Sequence, residues 1–230
     1  MQTPVIRGIS SMATRQVLAE LAAAYRMQRG VAVSFESVGG VDAAKRVQAG
    51  EPFDLVVLAA DAIDRLVASG HVVADSKADL VRSTVAIAVR AGAARPDVGS
   101  EGALRRAVLA AKTLGYSTGP SGTELMKLFE RWGIADEVRE RVVQAPPGVP
   151  VAQLVAEGKV ELGFQQYSEM AHAVGIAVVG TMPPGCEIIS TFAGALCAAS
   201  TQPEAVRDLL DFMRSPEAAL TKRRQGMEPA

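Results

Sequence analysis

Short apolar segments alternate with amphipathic segments along the first part of the chain. A loop of small or hydroxyl residues follows each apolar segment, which is typical of a buried strand that leads into a helix. Apolar residues then recur at helical spacing, and a glycine ends each helical segment. The predicted strands are Val5–Ile9, Val31–Phe35 and Phe53–Leu58, and the glycines are Gly30, Gly50 and Gly70. This repetition predicts β-α units with parallel strands and right-handed crossovers.

A second series of elements follows. The predicted strands are Thr84–Val89, Thr113–Ser117, Val142–Gln144, Leu162–Gln166, Ile176–Val179 and Ile188–Cys197, and the predicted helices are Ala103–Ala111, Thr123–Trp132, Pro203–Met213 and Pro216–Gln225. A chain of 230 residues can form one large α/β domain or two lobes of roughly a hundred residues each. The pattern favours two α/β lobes that the chain crosses near Thr84 and Thr191. We expect residues 1–83 and 191–230 to form a discontinuous first lobe, and residues 84–190 the second.

Charge and composition exclude several classes of partner. The chain has 24 basic and 25 acidic side chains, so no basic face is available for a phosphate backbone and nucleic acid is not an expected partner. Pro, Gly, Ser and His interrupt the longest uncharged stretches, so no membrane insertion is expected. The first residues lack the features of a leader, which predicts a cytoplasmic location for the sequence as written and a periplasmic one if a leader has been removed.

Candidate ligand-binding residues lie where predicted strands end. In open α/β sheets, ligands bind at the carboxyl ends of the strands, where helix N-termini present unpaired N–H groups and a partial positive charge. The ligand that suits these loops is a small anion. The alternative interpretation is that their hydroxyls are helix caps and their glycines turn residues. The predicted binding residues are Ser10, Ser11, Arg15, Gly39, Gly40, Ala59, Arg82, Ser83, Ser121, Gly122, Thr123, Gln165 and Gln166.

Two arginines and two glutamines have alternative interpretations. A cation in the first turn of a helix opposes the helix dipole, so pairing with a ligand carboxylate would explain Arg15, as would simple solvent exposure. Arg82 lies at a predicted lobe crossing and suits a ligand contact or an ordinary ion pair between lobes. Gln165 and Gln166 could contact a ligand or cap loop backbone.

Catalytic motifs are few. The sequence contains no GxSxG, GxGxxG, Walker A or HExxH motif, and the two cysteines are predicted to be buried thiols without a metal or redox role. No cofactor or metal is therefore expected. For an enzyme there remains proton transfer in a desolvated cleft, although each candidate also suits a structural role and no catalytic residue is assigned. The candidates are Glu36, Glu124, Tyr116 and Tyr167.

Several stretches together resemble the molybdate-binding-protein family, the ModA-like branch of the type II periplasmic binding fold. They are Ser10 to Tyr25, Val31 to Gly50, Phe53 to Gly70, Arg82 to Pro96, Ala152 to Glu169, and the C-terminal Ser215–Ala218 and Gly226–Pro229. The resemblance covers essentially the whole chain. It implies an α/β fold with two lobes, a small anion held in the cleft between them, and closure of the lobes on binding.

The chain departs from this family at positions that would contact an oxyanion. Ala13 stands where molybdate binders carry a serine, Gly39 and Gly40 replace the serines of the second loop, and Gln166 replaces a tyrosine. Fewer hydroxyl donors favour an organic carboxylate over molybdate. Two hypotheses follow: a substrate-binding protein of the molybdate ABC-transporter type, working with a permease if exported, or an isomerase. The isomerase hypothesis rests on similarity to the branch that includes aconitate isomerase, in which a 1,3-proton shift moves a double bond.

Overall fold

The computed structural model of the chain describes residues 5–230. The expectation about a leader depends on residues 1–4 and therefore lies outside the described residues. Contacts between Cα atoms divide the chain into two compact units. Unit 1 comprises residues 1–82 and 191–230, and unit 2 comprises residues 83–190, so that the divisions fall within two strands, β4 and β9, whose bounds follow.

The strands and helices alternate along most of the chain. The strands are β1 (Ile6–Ser11), β2 (Val33–Val38), β3 (Leu55–Ala59), β4 (Ala78–Arg90), β5 (Leu114–Tyr116), β6 (Val142–Gln144), β7 (Leu162–Gln166), β8 (Ile176–Thr181), β9 (Ile189–Leu196) and β10 (Glu228–Pro229). The helices are α1 (Arg15–Arg29), α2 (Gly40–Gln48), α3 (Ala60–Ala68), α4 (Glu101–Ala110), α5 (Pro120–Arg131), α6 (Ala135–Val138), α7 (Val151–Ala156), α8 (Tyr167–Met170), α9 (Pro203–Arg214) and α10 (Pro216–Arg224). Short 3-10 helices cover Met12–Thr14, Ala74–Ser76 and Arg139–Arg141.

The sheet of unit 1 confirms the predicted parallel strands. β1 lies between β2 and β3 and is parallel to both, while β9 pairs antiparallel with β3. β10 pairs antiparallel with β4 through Glu228 and Arg82. One face of the sheet carries Ile6, Leu55 and Val57 against apolar residues of α1 and α9, and the other carries Ile9 and Val56 against those of α2 and α3. Helices therefore cover both faces.

Unit 2 contains a sheet of mixed direction. β5 is parallel to β6 and β7, and β4 is antiparallel to β7 and β8. Val85, Ile87 and Phe164 pack on one face with apolar residues of α4 and α5, and Ala86 and Ala88 pack on the other with those of α7. Both cysteines of the chain, Cys186 and Cys197, are buried and free, in agreement with the prediction.

The first two strands end later in the structure than predicted. The strand predicted over Val5–Ile9 continues through Ser11, and the strand predicted over Val31–Phe35 starts at Val33 and continues through Val38. The reason is that the two extensions pair with each other, Ser10 with Ser37 and Ser11 with Val38, so the ladder satisfies polar backbone groups that the sequence pattern assigned to loops. The predicted loop serines are strand residues.

Asp54 joins three segments of unit 1. Its carboxylate accepts hydrogen bonds from the Arg7 backbone N–H at 2.9 Å, the Ser200 hydroxyl at 2.7 Å and the Gln202 side-chain amide at 3.2 Å. Asp54→Asn places an N–H₂ group against one of these donors, so we expect the free energy of unfolding to fall by about 1.5 kcal/mol. Chemical denaturation measures this loss. Asp79→Asn, at an exposed position, should be neutral, and an equal loss in both variants would contradict the assignment.

Candidate functional site

The carboxyl ends of three parallel strands meet at one edge of the unit 1 sheet. Ser10 of β1 is level with Ser37 of β2 and with Val57 of β3. The 3-10 helix Met12–Thr14 starts directly after β1, and α3 starts directly after β3. Helix N-termini therefore gather at this edge, where unpaired backbone N–H groups favour an anion.

Two predicted serines of this edge are buried and differ in their hydrogen bonding. The Ser10 hydroxyl lies 2.8 Å from that of Ser37. The Ser11 side-chain oxygen is buried and has no partner among the described residues. An unsatisfied buried hydroxyl costs free energy unless a ligand or water meets it. Ser11 is therefore the residue at this edge whose hydrogen bonding is incomplete.

The predicted Gly39, Gly40 and Ala59 lie beside Ser11. Gly39 and Ala59 are the N-cap residues of α2 and α3, and neither helix receives a hydrogen bond from a capping side chain. A Cβ atom added at Gly40 would lie 3.6 Å from the Ser11 Cβ atom, in ordinary contact. The structure therefore brings Ser10, Ser11 and these three residues together in unit 1.

The two predicted arginines are not alike. Arg15 is the first residue of α1 and is exposed, and within residues 5–230 its guanidinium forms no ion pair. Arg82 is also exposed, but its guanidinium donates a long hydrogen bond of 3.4 Å to the Pro229 carbonyl oxygen of β10. Of these two arginines, Arg15 has no ionic partner within residues 5–230, whereas Arg82 is hydrogen-bonded to β10.

Three predicted binding residues of unit 2 lie at the start of α5, which follows β5. α5 begins at Pro120, so Ser121 and Gly122 lie inside its first turn and the prediction of a helix start at Thr123 was three residues late. The Ser121 hydroxyl lies 3.2 Å from that of Ser117. A Cβ atom at Gly122 would lie 2.0 Å from the Ser117 carbonyl oxygen, so only glycine fits. Thr123 is exposed.

Two further unsatisfied oxygens lie in β4 and β7. The Ser83 hydroxyl and the Gln166 amide oxygen are buried, and neither has a hydrogen-bond partner in the described part of the chain. The Gln166 amide nitrogen donates to the Ser190 hydroxyl at 2.8 Å. Val85 pairs with Gln166 across the ladder, and Ser83 shares the face of Val85, so both oxygens belong to the same face of the sheet. This face presents hydrogen-bond acceptors that nothing in unit 2 satisfies.

Gln165 points to the opposite face and belongs to a different network. Its amide oxygen accepts from the Ala152 backbone N–H of α7 at 3.2 Å, and its amide nitrogen donates to the Glu169 carboxylate at 2.7 Å. Burial raises the pKa of Glu169 to about 7, and the bond from Gln165 opposes this only in part. Glu169 was not predicted from the sequence, although its position four residues after Gln165 in a polar run could have indicated it.

The acid-base candidates named from the sequence have less suitable surroundings. Hydrogen bonding to Arg46 lowers the pKa of Glu36, so this carboxylate stays ionised and is a poor proton shuttle. Glu124 forms an exposed ion pair with Lys127 at 2.8 Å. Tyr116 and Tyr167 are half-buried. Among residues 5–230 there is no cluster of three or more His, Cys, Asp or Glu side chains that could hold a metal ion.

Comparison with known proteins identifies the family. The sequence profile of bacterial extracellular solute-binding proteins matches residues 6–228. The chain belongs to this family. It is also 35% identical over 227 residues to an aconitate isomerase from a Pseudomonas species, an alignment that covers 96% of this chain and 86% of that protein. The resemblance to the molybdate-binding type and its isomerase-containing branch is therefore confirmed.

Solved structures confirm the type II periplasmic binding fold. The periplasmic molybdate-binding protein of Azotobacter vinelandii superposes with a TM-score of 0.80 at 17% identity, covering 96% of this chain and 98% of its own. The sulfate-binding protein of Mycobacterium tuberculosis superposes with a TM-score of 0.79 at 20% identity, covering 98% of this chain and 87% of its own. At these identities the likeness concerns the fold. No helix within residues 5–230 is long and apolar enough to cross a membrane.

Proposed function

We propose that this member of the solute-binding family binds a small organic carboxylate, in a cleft between its two lobes as the family resemblance implies. The observation that carries the proposal is the buried, unpartnered Ser11 hydroxyl, which lies among uncapped helix N-termini at the carboxyl edge of the unit 1 sheet. A carboxylate would accept hydrogen bonds from these donors. An ABC permease is the partner that fits this role if the chain is exported.

Three features support a carboxylate over molybdate. Gly39 and Gly40 offer backbone N–H groups but no hydroxyls, so a tetrahedral oxyanion has few side-chain donors here. Arg15, which forms no ion pair in the described chain, can bind a carboxylate through two parallel hydrogen bonds. The Gln166 amide oxygen needs a donor, and a hydroxyl or protonated carboxyl group on the ligand supplies one, whereas molybdate carries no proton at neutral pH.

A thermal-shift panel tests the proposal. The panel contains molybdate, tungstate, phosphate, citrate, cis-aconitate and trans-aconitate, and a ligand present at 100 times its Kd stabilises the protein by about 2.7 kcal/mol. We expect the tricarboxylates to raise the melting temperature and the oxyanions to leave it unchanged. A shift with molybdate or tungstate alone would overturn the carboxylate proposal and leave a binding protein for oxyanions.

Arg15 is expected to contribute to affinity without contributing to folding. Arg15→Gln should raise the Kd of the shifting carboxylate about tenfold, because the variant loses a charge-assisted hydrogen bond worth about 1.5 kcal/mol. Arg26→Gln is the matched control, since Arg26 is exposed in the last turn of the same helix. Isothermal calorimetry measures both. Equal Kd values for Arg15→Gln and the unmodified protein would remove Arg15 from the site.

Isomerase activity is the second candidate function. It is favoured by the 35% identity to an aconitate isomerase, which extends over almost the whole chain. In this reaction the site removes a proton from a methylene carbon beside a C=C bond, and N–H donors at helix N-termini stabilise the negative charge of the enolate-like intermediate. Incubation with cis-aconitate in deuterated solvent tests it by NMR. If the protein binds cis-aconitate but shows neither deuterium uptake nor interconversion of the isomers, only the binding function stands.

A further inference from the structure

Glu169 is a carboxyl group in surroundings that lack other charges. It lies in α8, directly after β7, and α8 packs against β7 and β8. Neither of these strands carries a titratable side chain, and neither does α7, which Gln165 ties to the same network. The nearest titratable side chains along the chain are Tyr167 and His172. No counter-ion therefore holds the Glu169 carboxyl in its charged form.

The two oxygens of Glu169 have different environments. Oε1 accepts a hydrogen bond of 2.7 Å from the Gln165 amide, whose own oxygen is fixed by the Ala152 backbone N–H. This chain of bonds sets the orientation of the carboxyl group. Oε2 accepts no hydrogen bond within residues 5–230, and the Glu169 side chain is half-buried. Glu169 thus presents one oriented, unoccupied oxygen three residues beyond Gln166.

We propose that Glu169 is the group that carries the proton in a 1,3-proton shift on an unsaturated polycarboxylate. The inference rests on the isomerase candidate above. Its support is the combination of one hydrogen-bonded and one free carboxylate oxygen in the helix that directly follows β7. The remaining acid-base candidates lack this combination, because Glu36 and Glu124 are held in exposed ion pairs.

The step balances without a co-reactant. The ionised Glu169 takes a proton from the methylene carbon of the substrate, and the C–H electron pair moves into the adjacent C–C bond as the original C=C electrons move toward the neighbouring carboxylate. The same carboxyl group then returns the proton to the former vinylic carbon. The substrate ends with its double bond shifted by one carbon, and Glu169 ends ionised.

A proton carrier of this kind works best when its pKa lies near the working pH. Burial raises the pKa of Glu169 to about 7, which meets this condition. Because the base form is required, the rate of exchange should rise with pH through about 7 and then level off. A role in positioning alone would not produce this profile.

The test compares substrate binding with proton exchange in one set of variants. Glu169→Gln keeps an oxygen for the Gln165 amide but cannot accept a proton, so it should retain the thermal shift with cis-aconitate and lose deuterium exchange by at least 100-fold. Glu169→Asp should retain part of the exchange. Glu140→Gln, an exposed glutamate of unit 2, is the matched control and should exchange like the unmodified protein.

The outcomes separate the two claims. If the unmodified protein binds cis-aconitate but neither exchanges protons nor interconverts the isomers, the isomerase function fails and this inference fails with it. If the unmodified protein exchanges protons and Glu169→Gln does so at the same rate, the function stands and the assignment of Glu169 is overturned. Loss of exchange with retained binding and a pH profile centred near 7 supports the assignment.

Discussion

Replacing Lys222 with methionine is expected to raise the free energy of unfolding at pH 7 by about 2 kcal/mol. Lys222 lies in α10 and is 2% exposed, and its ammonium forms no ion pair within residues 5–230. Burial, with a smaller effect of Arg214, lowers its pKa to about 8. Methionine fills a similar volume without a charge, so it removes the desolvation cost.

The pH dependence of this gain follows from the direction of the pKa shift. Below pH 8 both the folded and the unfolded chain carry a protonated Lys222, and the cost is present in full. Between pH 8 and about 10.5 the folded state releases the proton first, so stability of the unmodified protein rises with pH. The advantage of Lys222→Met should therefore be greatest at neutral pH and shrink above pH 8.

Urea denaturation of both proteins from pH 6 to 10 measures the effect. Lys112→Met, at an exposed lysine, serves as the control and should change the free energy of unfolding by less than about 0.5 kcal/mol. A Lys222→Met variant that is less stable than the unmodified protein at pH 7 would show that the ammonium makes favourable interactions in the folded state.

Much of the fold was predictable because it depends on local periodicity. The parallel arrangement of β1, β2 and β3 follows from repeated strand, loop and helix segments, and β6 and β7 have the predicted bounds. The start of β4 was not predicted. Its first residues alternate between buried and exposed and pair with β10, a contact across about 145 residues of chain. Such a partner leaves no periodic signal.

The sequence indicated which strand ends to consider as a binding site, but not the hydrogen bonding of their side chains. Strand ends and small residues indicated Ser11 and Gln166, yet only the folded structure shows that both carry oxygens without a hydrogen-bond partner among residues 5–230. The sequence could not distinguish Arg15 from Arg82, because the bond between Arg82 and Pro229 depends on the C-terminal strand. Glu169 was not predicted because its raised pKa comes from desolvation in the folded protein, which the sequence pattern does not reveal.

Lys222 is buried and Glu169 is half-buried, and neither has an ionic partner within residues 5–230, but their surroundings differ. Lys222 is buried in α10, and α10 packs against α1 and α9. Glu169 lies three residues after the Gln165–Gln166 end of β7, which the sequence indicated as a binding loop. Functional sites often keep groups that reduce stability, so a carboxyl group with a raised pKa next to a predicted binding loop fits the role proposed for Glu169.

Glu169→Gln is therefore expected to stabilise the protein by about 2 kcal/mol above pH 7. The folded-state pKa is raised from 4.5 to about 7, so ionisation favours the unfolded chain as pH rises from 4.5 to 7. The gain of the variant should be absent below pH 4.5, grow across this window, and stay constant above it. Denaturation curves at pH 4, 5.5 and 8 measure this.

Glu140→Gln again serves as control, because an exposed glutamate has no cost to relieve. A stabilised Glu169→Gln protein that no longer exchanges substrate protons would show that the same carboxyl group costs stability and supplies chemistry. A variant whose stability equals that of the unmodified protein at pH 8 would mean that the folded protein keeps Glu169 ionised at no cost. In that case Glu169 would have no poised proton to exchange at neutral pH, and the base would have to be sought elsewhere in the strand-end loops.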